Sequence, residues 1–275
     1  MTVTEPLLAN GAVPKPVLAA SNVTVRFGGL TALSNVDISI PAGALVGLVG
    51  PNGAGKTTLF GVMSGLLRPS AGRVDLVGTD VTKASSETRA RLGLARTFQQ
   101  PELFPDLTVR EHLVLAYRVR HCRSRLWKDV FTAGCLKRPD PAETERVDSL
   151  LELLSLSEVA NQPTRVLPLG TSRLVEVGRA LATAPAIVLL DEPSAGLDGH
   201  ETERLSEALR RTVLREKVSL LLVEHDVGMV LSLSSQIYVL DFGSVIAQGP
   251  PAEIRENPQV RAAYLGDEDI AIATG

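Results

Sequence analysis

Cysteine is nearly absent from the 275 residues: only Cys122 and Cys135 occur, both in a basic stretch and neither with the company a metal site needs. They read as free thiols, and a disulfide framework is excluded. Aromatic residues make up 4% of the chain, and the longest apolar runs, near Leu45 and Leu220, fall far short of the roughly 20 residues a membrane-spanning helix requires. A basic excess is missing too: 28 Lys and Arg stand against 31 Asp and Glu, a net charge of −3 with a pI near 5.9. Nucleic acid is therefore not the expected partner. Met1 to Glu5 lacks a basic segment ahead of an apolar one, so nothing resembles a secretory signal and a cytoplasmic location is expected.

What is present begins with Gly50-Pro51-Asn52-Gly53-Ala54-Gly55-Lys56-Thr57-Thr58, directly after the apolar run 45–49. An isolated match to this pattern can be an ordinary glycine turn. Here a buried strand precedes it and the amphipathic set Leu59, Val62, Met63 and Leu66 follows, which is the strand-loop-helix setting of a phosphate-binding loop. Such a loop turns backbone N–H groups toward phosphate oxygens, and a helix starting near Gly55 adds its positive end. Lys56 reaches the β/γ-phosphates and the Thr57 hydroxyl ligates Mg²⁺. The expected ligand is a nucleoside triphosphate with Mg²⁺.

Two further apolar strands end in polar residues. Ile187 to Leu190 runs straight into Asp191 and Glu192, at the carboxyl edge where open α/β sheets hold ligands. A solvated turn before Pro193 is the plain alternative, but carboxylates beside a central strand are seldom buried without partners. With a phosphate loop in the same chain, Asp191 is expected to hold Mg²⁺ and Glu192 to be the general base that polarises the attacking water. Leu220 to Val223 leads into Glu224, His225 and Asp226, and His225 becomes the expected γ-phosphate sensor.

Around these motifs, residues 1–16 read as a loose tail rich in proline and small residues. Segments 23–27 and 36–40 alternate as half-exposed antiparallel strands, and 72–76 continues extended. Beyond it, Val109 to Tyr117 and Thr144 to Leu154 read as helices of an inserted unit. A helix from Ser172 to Ala182, then alternating helix and strand through Gln248 with a closing hairpin, return to the sheet.

The order of these motifs resembles an ATP-binding-cassette (ABC) ATPase over nearly everything from Val17 to Gly266. Gly50 to Thr58 resembles the Walker A loop, Ile187 to Glu192 the Walker B strand with its catalytic glutamate, Ser194 to Asp198 the D-loop and His225 the H-switch. By the same resemblance Gln99 is the Q-loop residue that approaches Mg²⁺, Phe27 stacks on adenine, and Asp198 belongs to the nucleotide site. The implied fold is α/β: a P-loop NTPase (RecA-like) core, 17–97 and 166–266, with an antiparallel β edge subdomain and an α-helical subdomain, 98–165, inserted in it, followed by a tail from 267 to 275. The signature that grips the γ-phosphate of the opposite subunit corresponds to Leu167-Pro168-Leu169-Gly170-Thr171. Leu167 and Gly170 follow the family pattern; Pro168, Leu169 and Thr171 depart from it. Pro168 offers no donor, so Thr171 or Ser172 is expected to supply a hydroxyl at the helix start, and a weakened signature face follows.

Arg26 to Leu30, Ala95 to Gln99, Val223 to Asp226, Ile254 to Pro258 and Ala263 to Gly266 resemble the larger ATP-binding subunit of the branched-chain amino-acid uptake family. That resemblance implies an importer: two ATPase subunits (a homodimer or a pair with a paralogue), polytopic membrane permeases and an external solute-binding protein, with this chain peripheral on the cytoplasmic face. Cassettes for urea, amides and other small metabolites, and soluble ABC ATPases acting on the ribosome or nucleic acid, remain as alternatives. The segment 118–138, with Arg118, Arg120, Arg123, Arg125 and Trp127, is either a solvated loop or a surface for anionic lipid or the permease. Residues 101–104 border the groove where the family accepts a short permease helix; Leu103 and Phe104 could equally be core.

Overall fold

The computed structural model describes residues 16–97, 102–121 and 140–264. Its strands fall into two sheets. The first is antiparallel, in the order β2 (Leu30–Ile40), β1 (Leu18–Phe27), β4 (Ala71–Leu76), β5 (Thr79–Asp80). In the second the order is β10 (Ser244–Gly249), β9 (Gln236–Asp241), β3 (Leu45–Val49), β8 (Ser219–Val223), β7 (Ile187–Asp191), β6 (Leu94–Arg96). Its neighbours are parallel except for the edge strand β10.

The second sheet is covered on both faces, as its uninterrupted apolar strands require. Alternate residues go to opposite sides, following the two-residue period of a strand. Leu45, Val49, Val188, Leu190, Leu220, Leu222, Ile237 and Val239 enter one core with the helices. Val46, Leu48, Ile187, Leu189, Leu221, Val223, Tyr238 and Leu240 enter a second core shared with the antiparallel sheet and with α1 (Lys56–Ser64).

Beyond β4 the chain does not pass directly into helices as expected. Three short elements intervene: β5, α2 (Ser86–Arg91), capped by the Ser85 hydroxyl, and β6, which joins the edge of the main sheet. Then follow α3 (Val109–His121) and α4 (Pro141–Leu153). The helix α5 (Leu169–Ala182) begins three residues before the Ser172 start that its pattern predicts and buries Leu174, Val175 and Leu181 against Leu113, Leu150 and Leu154. The remaining helices are α6 (Gly199–Glu216), α7 (Val227–Leu233), α8 (Pro251–Glu256) and α9 (Pro258–Ala263). No helix of the described residues is long and apolar enough to cross a membrane.

Because β3, β6, β7 and β8 are parallel, their carboxyl ends open on one edge. The loop 50–55, Thr97, Asp191-Glu192 and Glu224-His225 all leave the sheet there.

Candidate functional site

The phosphate loop is braced by the β9–β10 turn and by β2. Gly243 in the β9–β10 turn donates its N–H to the Ala54 carbonyl (2.9 Å) and accepts from Ser34 N–H in β2 (2.8 Å). Gly55, at φ +105, is the N-cap of α1 and supplies no side-chain cap; a Cβ there would lie 2.9 Å from the Ala32 carbonyl oxygen. Only glycine takes that backbone path without strain. The first turn of α1 is thus left for an anion rather than for a capping side chain.

Lys56 is buried at the start of that helix, and its ammonium donates to the carbonyls of Gly50 and, at 3.1 Å, Pro51. Burial depresses its pKa, opposed by the nearby carboxylates Glu192, Asp191 and Glu224. Asp191, the last residue of β7, is buried, and desolvation followed by the neighbouring Glu192 charge raises its pKa. A buried carboxylate and a buried ammonium at one sheet edge, both with their charged forms disfavoured, are the electrostatic complement of a bound phosphate and a cation.

Glu192 continues the β7–β8 pairing through its N–H to the Val223 carbonyl (2.8 Å), yet its backbone sits at φ +46. A non-glycine residue in the left-handed region is strained, and such residues concentrate at functional sites. His225 lies at the end of β8 with its side chain 55% exposed, and its Nδ1 is 3.9 Å from Glu224 Oε2. Asp226 caps α7 by accepting from Met229 N–H. Phe27 closes β1, pairs with Leu30 across the hairpin and is 49% exposed, as a stacking platform must be.

The segment matching the signature differs from expectation. Gly170 is buried at the start of α5, and its N–H donates to Glu201 Oε1 (3.1 Å); a Cβ on Gly170 would lie 2.8 Å from that carboxylate. Glu201 in turn closes a capping box with Asp198, whose carboxylate accepts Glu201 N–H at 2.8 Å. Gly170 and Asp198 are joined through one side chain. The Ser172 hydroxyl, expected to face a ligand, instead turns back to the Pro168 carbonyl (3.1 Å), because a helix interior offers a serine that local acceptor. Thr171 is buried.

Gln99 lies outside the described residues, as do Pro101 and residues 122–139 of the basic segment. Of the basic residues that are described, Arg118 pairs with Glu143 (2.6 Å), Arg120 donates to the Arg91 carbonyl (2.9 Å), and His121 stacks on Tyr117. Leu103 packs against the core whereas Phe104 is exposed and lines a groove of about 1000 Å³ with Leu94, Thr97, His112, Arg120 and Glu176. Among the described residues no cluster of three or more His, Cys, Asp or Glu is placed to hold a metal.

Three residues escaped the sequence reading. Glu224, fully buried, accepts the Ser194 N–H at 2.8 Å; its place after an apolar strand is the same signal that marked Asp191. Arg89 and Glu201 carry no such signal, since neither follows an apolar run.

Comparison with known proteins identifies the family. The sequence pattern of the family described as ABC transporter matches residues 33–195, and that of the branched-chain amino acid ATP-binding cassette transporter matches 244–270. The chain is 37% identical over 253 residues to the high-affinity branched-chain amino acid transport ATP-binding protein BraF of Pseudomonas aeruginosa, covering 92% of this chain and 99% of that one. It is 36% identical, with the same coverage, to the corresponding protein LivG of Escherichia coli. Among solved structures, a nucleotide-free ATP-binding cassette from an ABC transporter superposes with a TM-score of 0.76 at 29% identity, covering 92% of this chain and all of that one. Another cassette, in its ADP conformation, also gives 0.76, at 30% identity, with 92% and 99% covered. The chain therefore belongs to the ATP-binding cassettes of ABC transporters, within the branched-chain amino acid family, and is a transport-coupled ATPase.

Proposed function

We propose that this chain is the ATP-hydrolysing subunit of an importer for branched-chain amino acids, docked on the cytoplasmic face of polytopic permeases and paired with a second cassette. The observation that carries this is joint: a phosphate loop and buried carboxylates on one sheet edge, in a chain matching branched-chain amino acid transport ATP-binding proteins over 92% of its length. The amino acid is expected to reach the permease and its external binding protein, not this subunit.

ATP binds with its triphosphate on residues 50–58, adenine stacked on Phe27, and the γ-phosphate near Lys56 and His225. Lys56, now spent on backbone carbonyls, exchanges them for phosphate oxygens. Glu192 accepts a proton from the attacking water while His225 hydrogen-bonds the γ-phosphate. The site suits Mg²⁺: Asp191 is a buried carboxylate whose ionised form burial disfavours and a cation restores, and Thr57 sits at the mouth of the loop. Thr57, Asp191 and Gln99 would hold the ion, which neutralises charge on the β- and γ-phosphates.

The second ATP face comes from the partner cassette, where Gly170 and its neighbours meet the opposite γ-phosphate once the Gly170 N–H exchanges the Glu201 carboxylate for it. Closure follows because ATP contacts the closed pair better than the open one. The groove lined by Phe104 accepts a short permease helix. With its donor replaced by Pro168, this signature holds ATP weakly, and the lone protein is expected to hydrolyse ATP slowly.

Glu192→Gln should retain ATP binding and lose hydrolysis by roughly 10²–10⁴-fold, the usual weight of a general base. Affinity purification of that variant with ATP and Mg²⁺ from gently solubilised native membranes tests the partners. Recovery of polytopic permeases and a second cassette is the expected result; recovery of ribosomal or other soluble proteins alone would overturn the importer reading.

A further inference from the structure

We propose that Glu224 is the positioning residue for Glu192: through the Ser194 amide it fixes the turn that carries the general base. The inference rests on the assignment of Glu192 as that base.

The turn after β7 is held at two points, and both come from the end of β8. Glu192 N–H bonds the Val223 carbonyl at 2.8 Å, and Ser194 N–H bonds Glu224 Oε1 at 2.8 Å. Between them the chain closes on itself, with Ala195 N–H on the Glu192 carbonyl (3.1 Å) and Leu197 N–H on the Ser194 carbonyl (3.0 Å). This arrangement keeps Glu192 at φ +46, a conformation that a glutamate abandons unless its surroundings over-determine it. Val223 alone fixes only the entry to the turn. The second restraint, two residues later, is the Glu224 carboxylate.

Glu224 is also a poor device for stability. It is 0% exposed, and Oε2 has no hydrogen-bond partner among the described residues; the imidazole of His225 stands 3.9 Å away. A buried carboxylate with one oxygen unsatisfied costs free energy that an apolar residue would not. The compensating return is local, since the acceptor sits opposite the one amide whose capture sets the direction of Glu192. The same carboxylate ties the residue that precedes His225 to Ser194, where the segment 194–198 begins.

Two replacements separate the hydrogen bond from the charge. Glu224→Gln keeps an acceptor for Ser194 N–H and removes the charge; Glu224→Leu keeps the volume and removes both. Kinetics of ATP hydrolysis, ATP binding by fluorescence and hydrogen exchange of peptides spanning 192–197 in the ATP-free protein are compared with the parent and with Glu192→Gln. For Glu224→Leu, kcat is expected to fall 10- to 100-fold, the effect of misplacing a catalytic group by about 1 Å, with ATP affinity within threefold of the parent and faster exchange at 192–197. Glu224→Gln should remain within threefold in every readout. Parental kcat or parental exchange in Glu224→Leu would overturn the proposal, and so would a Glu224→Gln as impaired as Glu224→Leu, which would make the charge the cause. Parental hydrolysis by Glu192→Gln would remove the base assignment itself, a separate outcome. If Glu224→Leu lacks a cooperative thermal transition, Glu224→Ala, which cannot overpack, carries the same comparison.

Discussion

Replacing Arg89 by Met should destabilise the protein more than any other single change to a charged side chain outside the nucleotide site. Arg89 is 1% exposed, and its guanidinium donates to three backbone carbonyls: Nη1 to Val62 (2.6 Å) and Met63 (2.7 Å), Nη2 to Val81 (2.7 Å). Val62 and Met63 lie in the last turn of α1, where a cation is favoured by the helix dipole; the Val62 carbonyl also accepts from Gly65 N–H (3.3 Å) and the Val81 carbonyl from Ala84 N–H (2.9 Å), so Met63 depends most on the guanidinium. Hydrogen bonds from a charged donor contribute about 1.5–3 kcal/mol each, so three give roughly 4.5–9 kcal/mol before costs. Against this stands the desolvation of the guanidinium, which also lowers its pKa and amounts to several kcal/mol. Met fills the volume but leaves the Met63 carbonyl without a partner and takes the charged donor from those of Val62 and Val81, and the net loss should be about 3 kcal/mol. At about 2–4 °C per kcal/mol for a domain of this size, the melting temperature should drop about 6–12 °C. Urea titration and calorimetry measure it directly, and Arg89→Lys, which cannot span carbonyls on two sides, should lose about half as much. ATP affinity should change less than threefold, because the phosphates meet the opposite end of α1. A stability within about 0.5 kcal/mol of the parent would mean that desolvation cancels the hydrogen bonds, and the reasoning would fail.

Other outcomes are equally specific. Burial raises the Glu224 pKa, so its proton is held more tightly folded than unfolded; stability is favoured below the ordinary carboxylate range and lost as pH rises through the raised value. Glu224→Gln should therefore be more stable than the parent near pH 8, with the gap narrowing toward pH 5 in denaturant titrations; a gap that widens on acidification would contradict the sign. Glu201→Ala removes the acceptor of Gly170 N–H and half of a capping box, a loss of about 1–2 kcal/mol and about 2–8 °C in thermal unfolding; Glu201→Gln should retain most of it. Saturating ATP at about 100 times its Kd should stabilise the parent by about 2.7 kcal/mol. The extra stabilisation that Mg²⁺ gives over ATP with EDTA should vanish in Asp191→Asn, and its persistence would place the ion elsewhere.

The sequence reading reached the sheet and the site where a single strand carries both halves of the signal. Val46 and Leu48 on one face, Leu45 and Val49 on the other, make an unbroken apolar run, and the polar residues that follow must emerge at the sheet edge. That logic located Lys56, Asp191, Glu192 and His225 without any knowledge of strand order. It failed for α2 and β6, because six and three residues are too few for a period to show. Ser86 to Arg91 is polar apart from Ala90, and the one residue it buries deeply is Arg89. The start of α5 was misplaced because Pro168 looks like an interruption, whereas proline at the N-cap leaves the following turn intact.

What stayed hidden has a common physical form: a charged side chain satisfied by backbone groups far away in sequence. Arg89 answers carbonyls 26 and 27 residues earlier, Glu224 an amide 30 residues earlier, and Glu201 an amide 31 residues earlier. Backbone donors and acceptors are the same at every residue, so no side-chain pattern announces which of them will be left unpaired at a helix end or a strained turn. Only the folded chain identifies the orphan, and only then does the charged partner become intelligible. For the catalytic edge this means that the sequence names the groups that touch the nucleotide, while those that aim them, Glu224 foremost, become visible through the backbone amides they hold.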